Sequence, residues 1–148
     1  MEIERRREIE QECRNLIAAL VQHYDHGEAE QAAALFVPDG LWVKTGVPYR
    51  GSAAIIASFS KQPQTLVLRH FVSNTVVRVH DESSASAVTY YMAFVGDRGA
   101  LPTDSELPIE LPKSLGEWND TFVLTDAGWR IAQREGRRIF GSKATASR

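Results

Sequence analysis

The stretch from Thr65 to Val79 is the part of the sequence that most narrows the choice of fold. It is dense in β-branched residues, reaches turn chemistry at Asp81-Glu82-Ser83-Ser84, and is followed by a second strand-like run from Ala85 to Val95. Two runs of this length joined by so short a turn pair antiparallel, which rules out an all-helical architecture. An isolated two-stranded ribbon is marginal in water, so other elements must cover one face and extend the edges. The turn residues Gly96-Asp97-Arg98-Gly99 lead into a proline-rich loop that lasts to Pro112. Beyond it, Leu115 to Leu124 and Trp129 to Phe140 flank Asp126-Ala127-Gly128 and predict a second hairpin.

The covering layer is supplied by the N-terminal third. Ile9, Cys13, Leu16, Ile17, Leu20, Val21 and Tyr24 fall at steps of three and four, the stripe of an amphipathic helix that should stop near Gly27. Glu28 opens a shorter helix whose Ala32, Leu35 and Phe36 share a face, and Pro38-Asp39-Gly40 is expected to end it. Short strands follow at Leu41-Trp42-Val43 and around Tyr49, separated by Gly46-Val47-Pro48. A third helix, capped by Gly51-Ser52 and closed by Pro63, carries Ile55, Ile56 and Phe59. The expectation is an α+β fold with three N-terminal helices laid against an antiparallel sheet, a single domain over residues 1–148 whose tail, 141–148, is frayed.

Charge and cysteine content exclude several functions. A net charge of -2 gives no global attraction to phosphate backbones or anionic lipid, although Arg5-Arg6-Arg7 and Arg134, Arg137 and Arg138 form local basic clusters. Neither nucleic acid nor membrane is expected as a partner, because no apolar run approaches the roughly twenty residues that span a bilayer. The N-terminus has no apolar leader segment, and the lone Cys13 cannot form an internal disulfide; a cytoplasmic location is the reading. Cys13 sits in an apolar stripe with no histidine in register, so it reads as core. His23 and His26 read as a surface pair at a helix end, and no metal-ligand or phosphate-loop spacing is present, so no cofactor is expected.

The candidate chemistry lies on the long strand and at the end of the first helix. Alternation puts Leu68, His70, Val72 and Asn74 on one face. Within a curled sheet that face lines a cavity, where His70 is either a satisfied core group or a base. Asp25 ends the first helix, where the helix dipole disfavours an acid. It is either a solvated carboxylate or one placed to orient a neighbour, and a carboxylate accepting an imidazole Nδ1 proton strengthens Nε2 as a base. Trp42, Tyr49, Tyr91 and Trp118 are candidate aromatic lining, with core packing as the alternative. The facing of Asn119, Asp120 and Glu135 is left open by the pattern.

Tyr24-Asp25-His26-Gly27, Ala34-Leu35-Phe36, Pro38-Asp39-Gly40, Arg69-His70-Phe71-Val72-Ser73-Asn74 and Gly128-Trp129-Arg130-Ile131 together resemble the SnoaL-like branch of the nuclear-transport-factor-2-like superfamily, over about residues 9 to 140. The resemblance implies a cone-shaped α+β barrel with a curved sheet. The Asp-His arrangement is similar to that of scytalone dehydratase, the bile-acid dehydratases and hexachlorocyclohexane dehydrochlorinase, all cofactor-free lyases. It implies that His70 removes a proton, that Asp25 orients it, and that Tyr24 and Tyr49 are pocket tyrosines; Tyr91, Asn74 and Asn119 join Trp42 as candidate substrate contacts. Scytalone dehydratase has a second histidine on the next strand, where this chain has Tyr90-Tyr91-Met92. The substrate class so implied is a hydroxylated cyclic or polyketide-like small molecule. The long strand also resembles that of ring-hydroxylating dioxygenase β subunits, which implies an assembly or binding module instead, and isomerases share the fold. Members assemble through the outer sheet face, implying a homodimer or homotrimer.

Overall fold

In a computed structural model, which describes residues 1–141, Ile9, Cys13, Leu16, Ile17, Leu20 and Val21 form the buried stripe of α1 (Ile3–Asp25). The remaining elements are α2 (Ala29–Ala34), β1 (Phe36–Lys44), β2 (Val47–Arg50), α3 (Ser52–Phe59), β3 (Leu66–Val79), β4 (Ser84–Asp97), β5 (Ser114–Thr125) and β6 (Gly128–Gly141). Gly141 closes β6, and the rest of the expected frayed tail lies outside the described residues. α1 starts six residues before its apolar stripe. After Ile3 the added residues are all Glu and Arg, strong helix formers, with Arg5 and Glu8 paired at 2.9 Å on the surface.

The six strands form one sheet in the order β2-β1-β6-β5-β4-β3. Every neighbouring pair is antiparallel except β1 with β6, which is parallel, so the sheet is mixed. The helices cover one face. α1 contributes its stripe, and Ala85 and Ala87 on β4 join Phe36, Trp42, Val77, Phe122, Trp129 and Ile131 in the core beneath. Burying each large apolar side chain contributes about 1.5–3 kcal/mol. Among the described residues no helix is long and apolar enough to cross a membrane.

Two local expectations are corrected. Phe36 does not belong to the second helix: it is 4% exposed, opens β1 and pairs with Ile131 of β6, so the long-range partner overrides the local helical pattern. Pro38-Asp39-Gly40 is accordingly not a helix-ending turn. It sits inside β1, where the register to β6 slips between Phe36 and Leu41, and a Cβ on Gly40 would fall 2.9 Å from both Phe36 Cβ and the Val37 carbonyl oxygen.

The second correction concerns β3. Leu68, His70 and Val72 keep the inward parity, but a bulge between Ser73 and Val76 shifts it by one, so that Val77 and Val79 point to the core beyond it. Asn74 sits at the bulge with φ +51° and is exposed, so it does not share a face with His70. Arg14 of α1 donates to the Thr75 carbonyl at 3.0 Å and ties the helix to the bulge. From Arg14 to Asp25 the helix advances about 16 Å, and from Thr75 back to His70 the strand covers about the same distance. Asp25 therefore arrives opposite His70.

Candidate functional site

Asp25 is the last residue of α1, and both of its oxygens are committed to one partner. Oδ1 lies 2.5 Å from His70 Nδ1, and Oδ2 accepts the His70 backbone N–H at 2.7 Å. The side chains are 5% and 10% exposed, respectively. A carboxylate bound this way fixes the ring rotation and places the proton on Nδ1, leaving Nε2 as the free acceptor. The unfavourable end of the helix dipole is offset by two short hydrogen bonds.

His70 lines a cavity of about 270 Å³ between the helical layer and the inner face of the sheet. Its walls are aromatic. Tyr24, Tyr91 and Trp118 have ring centroids 5.6, 6.0 and 5.7 Å from the imidazole, and Tyr91 stacks on Trp118 at 4.6 Å. Gly116 makes room for that stack, because a Cβ there would lie 2.7 Å from the Tyr91 hydroxyl and 2.2 Å from the Arg137 carbonyl. Trp118 is held from behind by the Arg134 guanidinium, 4.4 Å from its ring centre. Arg134 is in turn paired bidentately with Asp120, at 2.7 and 2.8 Å, and both are buried. Arg134 is thus an internal strut, while Arg137 pairs outside with Glu117 at 3.9 Å; the basic cluster read from the sequence is divided between two faces.

Tyr24 lines the cavity as well, and Gln62 Nε2 donates to its oxygen at 2.6 Å. Burial raises the Tyr24 pKa, which keeps the phenol protonated. With its oxygen accepting from Gln62, the hydroxyl hydrogen is free to turn toward a ligand. Burial raises the Tyr91 pKa in the same way. Trp42 is in the wall, edge-on to Tyr24 at 5.2 Å. Tyr49 is partly buried against the core outside that lining, with Lys61 Nζ 3.4 Å from its hydroxyl. Asn74 and Asn119 are both absent from the cavity wall: the bulge removes the first, and β5 parity turns the second to the outer face, leaving Trp118 and Asp120 inward.

Lys44 was not singled out by the sequence reading. It shares strand parity with Trp42, and that shared parity is the signal that could have found it. Its Nζ lies 3.9 Å from the Trp42 ring centre and 4.6 Å from those of Tyr24 and Phe59, and donates to Ser58 Oγ at 2.7 Å. Burial lowers its pKa from 10.5 to about 7. Cys13 is fully buried, and burial pushes its thiol up to about 12, as suits a core residue. His23 pairs with Glu28 at 2.6 Å, and His26 Nδ1 donates to the Gln22 carbonyl at 2.7 Å. Among the described residues no three His, Cys, Asp or Glu side chains gather as a metal-holding cluster.

The model of the SnoaL-like domain matches residues 5–135, nearly the whole described chain. The chain belongs to the SnoaL-like domain family. Solved structures agree with this SnoaL-like domain in fold. A candidate scytalone dehydratase from Novosphingobium aromaticivorans superposes with a TM-score of 0.79 at 19% identity, covering 95% of this chain and 91% of that one. A nuclear-transport-factor-2-like protein with a cystatin-like fold, also from Novosphingobium aromaticivorans, gives 0.71 at 26% identity, covering 97% and 92%. A type 2 hexachlorocyclohexane dehydrochlorinase gives 0.77 at 9% identity, covering 95% and 92%. No curated protein matches the sequence.

Proposed function

We propose that this SnoaL-like domain is a cofactor-independent lyase of dehydratase type, acting on a hydroxylated cyclic or polyketide-like small molecule. The observation that carries the reading is the double hold of Asp25 on His70 at the wall of an aromatic cavity. One carboxylate holds both the backbone N–H and the ring Nδ1 of His70, which fixes the imidazole's orientation at the cavity wall. His70 Nε2 takes a proton from a carbon beside a carbonyl, and Tyr24 donates to the carbonyl oxygen as charge builds there. The new C=C bond forms as the C–O bond on the adjacent carbon breaks, and the proton on Nε2 leaves with the hydroxyl as water. Tyr91, stacked on Trp118, binds a ring or the departing oxygen in this reading. The names of two fold neighbours, a candidate scytalone dehydratase and a dehydrochlorinase, are consistent with elimination chemistry.

The test is deuterium uptake and water loss from a panel of cyclic hydroxyketones in deuterated water, followed by mass spectrometry for wild type and His70→Ala. Uptake that requires His70 supports the base; undiminished uptake in the variant rejects it. Assembly as a homodimer or homotrimer is part of the same proposal. An apolar hollow of about 510 Å³ on the outer sheet face, lined by Phe71, Phe94, Leu107, Ile109 and Leu111, supports a contact between copies of the chain.

A further inference from the structure

We propose that the cavity takes an anionic ligand and that Lys44 binds its negatively charged oxygen. The inference deepens the reading above, resting on the same cavity as the substrate site but not on His70 acting as a base. Charge balance carries it. Lys44, Lys113 and Arg138 all line the cavity, and among the described residues none of them is paired with a carboxylate. Among the described residues no carboxylate lines this space, and Asp25, behind His70, has both oxygens spent on that histidine. Asp120, buried on β5 two residues from Trp118, is consumed by Arg134. The space is therefore electropositive.

Lys113 and Arg138 are exposed, and free cations on a surface need no explanation. Lys44 is different. Its ammonium is half-buried among Trp42, Tyr24, Phe59 and Tyr49, the last with its ring centre 5.7 Å away, and among the described residues its one hydrogen-bond acceptor is the neutral Ser58 Oγ. The ring faces favour the charged form, but each offers only a fraction of what a carboxylate would. Two of the three ammonium hydrogens have no acceptor among the described residues. Burying a cation in this state costs free energy, which is why its pKa falls to about 7. A ligand carboxylate, phenolate or enolate supplies the missing counter-charge at that point, and the rim cations draw an anion inward. At about 270 Å³ the cavity lies at the small end of ligand sites, fitting a compact one- or two-ring acid.

The experiment compares benzoate with benzamide, nearly equal in shape and different in charge, by isothermal titration calorimetry at pH 6.5. Wild type is expected to bind benzoate at least about tenfold more tightly than benzamide, as for a charge-assisted hydrogen bond. Lys44→Met is expected to bind the two alike. Lys44→Gln, which keeps a donor for Ser58 without the charge, repeats the measurement should the Met variant fold poorly. Equal affinities in wild type, binding of neither probe at millimolar concentration, or a preference that survives both Lys44 variants overturns the proposal. His70→Ala is expected to keep the preference. If that variant also keeps deuterium uptake, the base is rejected while the anion site stands.

Discussion

Asp25→Asn replaces two carboxylate acceptors by one carbonyl and an amide donor, so either the ring N–H or the backbone N–H of His70 faces another donor. A buried unpaired donor costs about 1–3 kcal/mol, and mispositioning the base lowers turnover about 100-fold or more. Thermal melts and the exchange rate read these separately, and exchange at the wild-type rate would remove the orienting role. Lys44 makes a prediction with a definite sign. Its pKa is about 7 in the folded chain against 10.5 for an ordinary lysine, so between those values the unfolded chain holds the extra proton and stability rises with pH. Lys44→Met lacks that slope. Its melting temperature should exceed that of wild type most below pH 7, and the gap should close toward pH 10; a gap that stays constant would mean that the ring faces keep the amine charged throughout.

The bulge on β3 is the element on which the site geometry depends. Asn74 adopts a left-handed conformation there, which asparagine tolerates and β-branched residues do not. Asn74→Gly should leave stability within about 0.5 kcal/mol, whereas Asn74→Val should cost about 1–2 kcal/mol in denaturant unfolding. Asn74→Gly should also leave ligand binding unchanged, since it keeps the bulge and Asn74 is outside the cavity. The bulge also explains which parts of the structure could be read from the sequence. Helix and strand positions followed from periodicity because α1 and the β3-β4 and β5-β6 hairpins each declare themselves locally. Phe36 was misassigned because Ala32, Leu35 and Phe36 fit a helix face as well as a strand start, and only its partner Ile131, far along the chain, decides. Asn74 was misplaced by simple alternation, which cannot register a bulge set by pairing with β4. The meeting of Asp25 with His70 spans 45 residues; an acid at the wrong end of the helix dipole and a histidine on an inward strand face suggested it, and the family resemblance strengthened it. Lys44 went unseen because a lone lysine on a strand usually faces water.

At the scale of the molecule, the outer face of the sheet leaves Phe71 64% and Tyr90 50% exposed, and the loop beside it leaves Ile109 96% exposed. Apolar surface of this kind is expected to be covered by a second copy. Light scattering behind size exclusion should give two or three times the chain mass, and Phe71→Lys with Tyr90→Lys should reduce it to one; a wild-type monomer would reject assembly. The parallel pairing of β1 with β6 governs something else, the moment at which the protein can first exist. Phe36 waits for Ile131, a separation of 95 residues. At ribosomal speeds of roughly 5–20 residues per second, about 5–20 s pass between their syntheses. Asp25 is made before that interval opens, and His70 in its first half. Until β6 emerges, the floor that holds Trp118 is missing and the stripe of α1 lacks part of its sheet, so the nascent chain carries its dyad long before it has a cavity to put it in.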